Sequence, residues 1–202
     1  METWRAHDLL WVSGLPDGAS MPAWADAAWL AAAPLVVRRA SCAPGRIPAG
    51  VRGLLRSERH ACEVDAAAVV RRVTPEVLAR MPLPDFSSAA LDALRQAAPL
   101  LDATGWAWGP TGGVGFTLAS GLPVLRADSD LDLVLRIAAP PDAAQADALR
   151  AIAAKVTVCR LDLQIDTGHG GFAYAEWAAG RGRVLLKTDR GPVLTATPWE
   201  PA

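Results

Sequence analysis

Asp130 and Asp132 stand two residues apart in the run Ala127-Asp-Ser-Asp-Leu-Asp-Leu-Val-Leu-Arg136. Strand side chains alternate between faces, so Asp130 and Asp132 project to one side while Leu131, Leu133 and Leu135 project to the other. Two carboxylates converging on a point repel each other, and such a pair persists when a cation or a shared proton compensates it. Carboxylate oxygens suit hard divalent cations, which makes Mg²⁺ the expected occupant. The bland alternative is an Asp-Ser-Asp cluster that only caps a turn.

Upstream lies Thr111-Gly-Gly-Val-Gly-Phe116, between a short strand and a predicted helix. Such a turn lets backbone N–H groups approach a phosphate, although glycines of this kind also make plain tight turns. Downstream comes Val158-Cys-Arg-Leu-Asp-Leu-Gln-Ile-Asp166, in which Asp162, Gln164 and Asp166 share a strand face, so that a third carboxylate can join the first two. Arg38, Arg39, Arg52, Arg56 and Arg59 concentrate guanidinium groups in the first part of the chain, suited to bidentate phosphate contacts; solvated surface is the alternative for each one. His7 beside Asp8 reads as an oriented acid or base, or as a structural hydrogen bond. His60 and His169 lack partners at metal-ligand spacing. Trp106 and Trp108, beside the glycine turn, are candidates to stack on adenine, whereas Trp24, Trp29 and Trp177 fit apolar faces.

These residues need elements to hold them. His7 to Val12 and Pro34 to Arg39 read as strands around a helix from Ala23 to Ala33, a βαβ-like opening. Ala43 to Arg59 reads as a loop-containing segment, Ala61 to Val64 as a strand and Asp65 to Val73 as a helix. Thr74-Pro75-Glu76 opens a helix through Met81, and Met81-Pro-Leu-Pro-Asp85 ends it because two prolines forbid continuation. The domain boundary is placed there, giving 1–82 and 83–202. The second part reads as helix (87–102), strand (106–109), helix (111–120), strand (131–137), helix (142–155), strand (156–166) and strand (184–188). This alternation argues an α/β layer fold with a small mixed sheet.

Composition narrows the classes. A chain of 202 residues that is 51% hydrophobic can bury a substantial core. Net charge of −1 excludes the broad basic field of a nonspecific nucleic-acid binder. Cys42, Cys62 and Cys159 are odd in number and widely spaced, which points to free, buried thiols rather than disulfides or zinc. Apolar runs are broken by Pro, Arg or Asp before membrane-spanning length, and the N-terminus lacks a signal-like pattern, so a cytoplasmic protein is expected.

A strand, a Gly-Gly turn, an Asp-x-Asp strand and a third acidic strand, in this order, resemble the DNA polymerase β-like nucleotidyltransferase superfamily. The resemblance implies two Mg²⁺ ions held by Asp130 and Asp132, Asp162 as third carboxylate with Asp166 as its rival, and Gly112 and Gly113 against a triphosphate. A narrower resemblance spans nearly the whole chain. Its marks are Arg5-Ala-His-Asp-Leu-Leu-Trp11, Pro34-Leu-Val-Val-Arg-Arg39, the Arg-rich stretch Gly50 to Arg59, Ser129-Asp-Leu-Asp-Leu133, Gly171-Phe-Ala-Tyr-Ala-Glu-Trp177, Gly191-Pro-Val-Leu and Pro198-Trp199. In these the chain is similar to the malonate decarboxylase holo-acyl-carrier-protein synthase, or phosphoribosyl-dephospho-CoA transferase, family.

An α/β (α+β) chain of two domains is expected: a smaller N-terminal α/β domain whose Arg38, Arg39, Arg52, Arg56 and Arg59, taken as a set, favour gripping the triphosphate or dephospho-CoA, and, as the resemblance implies, a C-terminal polymerase β-like catalytic domain. The resemblance further implies triphosphoribosyl-dephospho-CoA as substrate, the acyl-carrier subunit of malonate decarboxylase as acceptor, Mg²⁺ as cofactor, and neither nucleic acid nor membrane as partner. Competing expectations are the related citrate lyase synthase activity, an NTP-dependent nucleotidyltransferase, and a catalytically silent scaffold that binds an acyl-carrier protein.

Overall fold

The computed structural model describes residues 3–14 and 21–201. The first unit consists of β1 (Leu9–Val12), α1 (Ala27–Ala32), β2 (Leu35–Val37), β3 (Arg46–Arg52), β4 (Arg59–Asp65) and β5 (Val69–Val73). Its sheet runs β4-β3-β2-β1-β5, with every neighbouring pair antiparallel. Alternation in β3 decides what each face does. Ile47, Ala49 and Val51 are buried with Leu10, Leu35, Val37 and Val64 against Leu30 of α1, while Gly50 and Arg52 point to the opposite face.

Several expectations fail in this unit. The opening is not a βαβ unit, because β1 and β2 pair antiparallel. The segment 43–59 contains the full strand β3, whose alternation Ile-Pro-Ala-Gly-Val is masked by proline and glycine. The segment 65–73 is not helical: Asp65 caps a single 3-10 turn at Ala66–Ala68, and Val69 to Val73 then pair with β1, Leu9 opposite Val73. Three alanines favour helix locally, but the β-branched run that follows gains more by extending the sheet.

The second unit holds α2 (Pro75–Leu78), α3 (Ala89–Ala103), β6 (Ala107–Pro110), α4 (Gly112–Ser120), β7 (Leu131–Arg136), α5 (Ala143–Lys155) and β8 (Leu161–Asp166). After these come β9 (Gly171–Ala173), α6 (Tyr174–Ala178), β10 (Val184–Thr188) and β11 (Gly191–Thr195). The sheet order is β11-β10-β9-β8-β7-β6, and only β7 and β8 run parallel, joined by the α5 crossover. Asp142 and Gln145 form a capping box that starts α5. Thr74 caps α2, which ends at Leu78 rather than Met81. The strand expected from Val156 begins only at Leu161, and β9, α6 and β11 were not anticipated.

Leu131, Leu133 and Leu135 of β7 are fully buried among Leu91, Leu94 and Leu101 of α3 and Leu149 and Ile152 of α5. The opposite face of β7 and β8 turns toward the first unit. Leu9 and Val73 from the first sheet join the same core as Leu78, and Ala33 packs with Phe116 and Val124, so apolar contact between the units flanks a polar cleft. No helix among the described residues is long and apolar enough to cross a membrane.

Candidate active site

The acidic face comes from strand register. In the parallel pair, Asp132 stands opposite Asp162, Val134 opposite Gln164 and Arg136 opposite Asp166. Asp130 immediately precedes β7. Asp130, Asp132 and Asp162 line one cavity of about 230 Å³. Burial first, then repulsion from Asp130 and Asp162, pushes the Asp132 carboxyl up to about 6, against the pull of Arg52 and Arg59. Arg160 reaches Asp130 at 3.8 Å.

The glycine turn meets this face directly. Thr111 N–H donates to the Asp132 carbonyl at 2.9 Å, tying turn to strand. Gly112 has φ +54, and a Cβ there would lie 1.8 Å from Oδ2 of Asp132. Only glycine allows both the backbone conformation and the approach. Thr111 caps α4 without a side-chain hydrogen bond, so the first N–H groups of the helix remain for a ligand. Gly112 and Gly113 line the same cavity.

The facing wall comes from the hairpin of the first unit. Arg52 and Arg59 are cross-strand partners at the end of β3 and β4, and Arg56 sits in the turn between them. All three line the acidic cavity. Arg52 packs over the Phe116 ring at 5.3 Å, and its carbonyl accepts from Trp29 Nε1 at 2.8 Å. Its Nε is buried and has no hydrogen-bond partner among the described residues. Burial, followed by the charge of Arg59, lowers Arg52 to about 10. Cations thus face carboxylates across a gap, with neither set neutralised by the other.

Other candidates are distributed elsewhere. Arg38 lines an adjoining cavity with Arg52, Arg59 and His60. Arg39 does not enter the cleft; it is paired with Asp166 at 2.7 Å, and Asp166 also accepts from Arg136 at 2.6 Å. Burial would raise the Asp166 carboxyl, but Arg39, the Gly168 N–H and Arg136 outweigh it and hold it below the ordinary range. The rival third carboxylate is therefore spent on an ion pair four residues along the strand, roughly 13 Å from Asp162. Asp8 turns away from His7: it accepts from Arg5 N–H at 3.0 Å and pairs with Arg72 at 2.6 Å. His7 instead lines a second cavity with Thr111, Gly112, Asp132 and Gln164, and burial, with Arg136 and Arg39, lowers it to about 4. Trp108 is core, its Nε1 donating to Asp102 at 2.9 Å, and does not offer a stacking face. His169 lies on the exposed turn after β8.

Sequence reasoning passed over Arg126, Ser129 and Arg160, which also line the acidic cavity. Arg160 had a visible signal, two positions before Asp162. Arg126 had none, because the turn that presents it, closed by Arg126 N–H to Ser129 Oγ at 2.9 Å, is irregular.

The family model for the phosphoribosyl-dephospho-CoA transferase MdcG C-terminal domain matches residues 77–198, and that for the N-terminal domain matches residues 5–75. The chain belongs to the phosphoribosyl-dephospho-CoA transferase family. Relatives bearing that name include a Pseudomonas aeruginosa protein 48% identical over 198 residues, covering 96% of this chain and 92% of its own length. Similar proteins occur in Pseudomonas putida, 46% identical with 96% and 95% coverage, and in Azotobacter vinelandii, 44% identical with 96% and 94% coverage. No solved structure matches. Family membership covers both walls of the cleft, the arginine hairpin falling in the N-terminal match and the three aspartates in the C-terminal one.

Proposed function

We propose that this protein moves the 2′-(5″-phosphoribosyl)-3′-dephospho-CoA group from 2′-(5″-triphosphoribosyl)-3′-dephospho-CoA to a serine of the acyl-carrier subunit of malonate decarboxylase, in the cytoplasm, with release of diphosphate. The observation that carries this reading is the single cavity in which Asp130, Asp132 and Asp162 face Arg52, Arg56 and Arg59. One wall suits metal-bridged phosphate oxygens and the other suits a polyphosphate leaving group.

The residues fit Mg²⁺. Their donors are hard carboxylate oxygens, and the Asp132 carboxyl is raised first by burial and then by repulsion from Asp130 and Asp162, both of which a bound cation would offset. Among the described residues no group of three or more acidic, histidine or cysteine side chains stands so as to hold a metal ion by itself. Mg²⁺ needs no such group, because it takes one or two carboxylates and completes its shell with water and substrate phosphates. Asp130 and Asp132 would hold it, with Asp162 as a third carboxylate lining the same cavity. When bound there, Mg²⁺ supplies charge neutralisation at the triphosphate and lowers the pKa of the acceptor hydroxyl.

The chain's own groups then do three things. Gly112 and Gly113 present backbone N–H groups to phosphate oxygens at the start of α4. Arg52, Arg56 and Arg59 compensate the charge that develops on the departing diphosphate. The carboxylates orient the serine oxygen in line with the α-phosphorus; the new O–P bond forms, the bond to diphosphate breaks, and the hydroxyl proton passes to one of the cavity carboxylates.

Intact-mass spectrometry of the apo carrier subunit, incubated with this protein, Mg²⁺ and triphosphoribosyl-dephospho-CoA, tests the reading. The expected result is a phosphoribosyl-dephospho-CoA adduct, lost with EDTA and with Asp132→Asn. An unmodified carrier, or an adduct formed only from ATP, would overturn it.

A further inference from the structure

The cleft continues beyond the arginine hairpin into a cavity of about 370 Å³ over the first sheet. Its floor is a row across three strands: Val36 of β2 opposite Gly50 of β3, and Gly50 opposite Ala61 of β4. Side chains on this row are short or missing, so the sheet offers a smooth apolar platform. Arg52 and Arg59 close the end nearest the aspartates, and both line this cavity as well as the acidic one. Arg38 and His60 border it too. Arg38 lies over the platform, since a Cβ on Gly50 would sit 3.4 Å from its Cδ.

Among the described arginines without an ion pair, which also include Arg56, Arg71, Arg181, Arg183 and Arg190, three line this one cavity. Arg5, Arg39, Arg46, Arg72, Arg80 and Arg136 each have a carboxylate within 4.0 Å. Among the described residues, no ion pair engages Arg38, Arg52 or Arg59. Three guanidinium groups without carboxylate partners around an apolar floor make a site for a ligand with a flat, weakly polar body and anionic ends.

We infer that this platform is the subsite for the adenosine 5′-diphosphate portion of dephospho-CoA, with adenosine on Val36, Gly50 and Ala61 and the diphosphate bridge at Arg38. The inference rests on the proposed function, and it divides the arginines between two phosphate arms. The compartments follow the covalent order of the substrate: triphosphate at the aspartates, adenosine beyond Arg52 and Arg59, diphosphate at the far end. Arg52 and Arg59 stand at the junction and serve both arms.

The test uses two probes, dephospho-CoA alone and inorganic tripolyphosphate alone, titrated calorimetrically into the full chain with Mg²⁺ present. Two variants are compared with wild type. Ala61→Leu fills the floor from an exposed edge-strand position, and Arg38→Gln removes the charge without shortening the stem greatly. Each is expected to weaken dephospho-CoA by about tenfold or more, leave tripolyphosphate unchanged, and raise KM for the whole substrate with kcat held. Failure of wild type to bind dephospho-CoA, or unchanged binding and KM in both variants, would overturn the subsite. Carrier modification by wild type is scored separately. If wild type modifies the carrier while both variants keep its KM, the subsite alone falls. If dephospho-CoA binding depends on Arg38 and Ala61 but no carrier is modified, the subsite stands and the proposed reaction falls.

Discussion

Gly112 and Asp132 are shaped around each other: the carboxylate Oδ2 occupies the place where a side chain at 112 would begin, 1.8 Å from its Cβ. Gly112→Ala must therefore displace the carboxylate and also strain a backbone at φ +54. We expect at least about a hundredfold loss of kcat with a stability loss of roughly 1–2 kcal/mol. Gly121→Ala is the control. It has φ +73 but nothing within 4 Å of the point where a side chain would begin, so thermal melting should fall by a similar amount while kcat holds.

Asp132 makes the metal-free protein less stable in alkali. Its carboxyl rises from an ordinary 3.8 to about 6, so the folded state holds the proton more tightly than the unfolded chain. That contribution is full below about 4 and is lost as pH rises through about 6. In EDTA at pH 8, Asp132→Asn should exceed wild type in stability, on the order of 2 kcal/mol at about 1.36 kcal/mol per pH unit with a discount for partial solvent access. The gap should close near pH 4 in urea melts, and Mg²⁺ at pH 8 should narrow it.

Asp162 and Asp166 occupy the same strand face and should fail in opposite ways. Asp162→Asn removes a carboxylate from the cavity and is expected to abolish carrier modification with little change in melting temperature. Asp166→Asn leaves Arg39 and Arg136 without their shared anion, which costs about 3 kcal/mol or more. The Asp166 contribution is present above its ordinary 3.8 and disappears as pH falls through its lowered folded value, so acid unfolding curves of wild type and Asp166→Asn should converge at low pH.

Arg52 and Arg59 are like charges directly opposite on neighbouring strands. Such a pair opposes folding by up to about 1 kcal/mol. Arg59→Gln should leave the melting temperature equal or slightly higher while KM for the triphosphorylated substrate rises about tenfold or more. A lower melting temperature with unchanged KM would assign Arg59 to structure instead.

Much of the acidic wall was legible because strand periodicity is local. The spacing of Asp130 and Asp132 puts that pair on one strand face and the spacing of Asp162, Gln164 and Asp166 puts those three on another, and the register of β7 against β8 brings the two faces together. The glycine turn was legible for the same reason. Arg39 was misread because its partner lies 127 positions away, and nothing near Arg39 or Asp166 in sequence announces the other. The face shared by Asp162, Gln164 and Asp166 was correct, but a face does not say which end opens to a ligand and which is closed by guanidinium groups. β5 was misread as helix because its strand character depends on a vacant edge at β1, a tertiary fact.

The Asp166 network has one more consequence. Arg39 follows β2 in the first unit and Arg136 ends β7 in the second, Arg136 also donates to the Ala6 carbonyl at 3.4 Å, and Ser41 N–H donates to the Asp189 carbonyl at 2.8 Å. These polar links join the two halves around Asp166, and Ala33 against Phe116 and Val124, with Arg52 over the Phe116 ring, joins them again. Clamped at more than one place, the arginine wall and the aspartate wall are set against each other like the jaws of a vice, and the width between them is fixed by the fold.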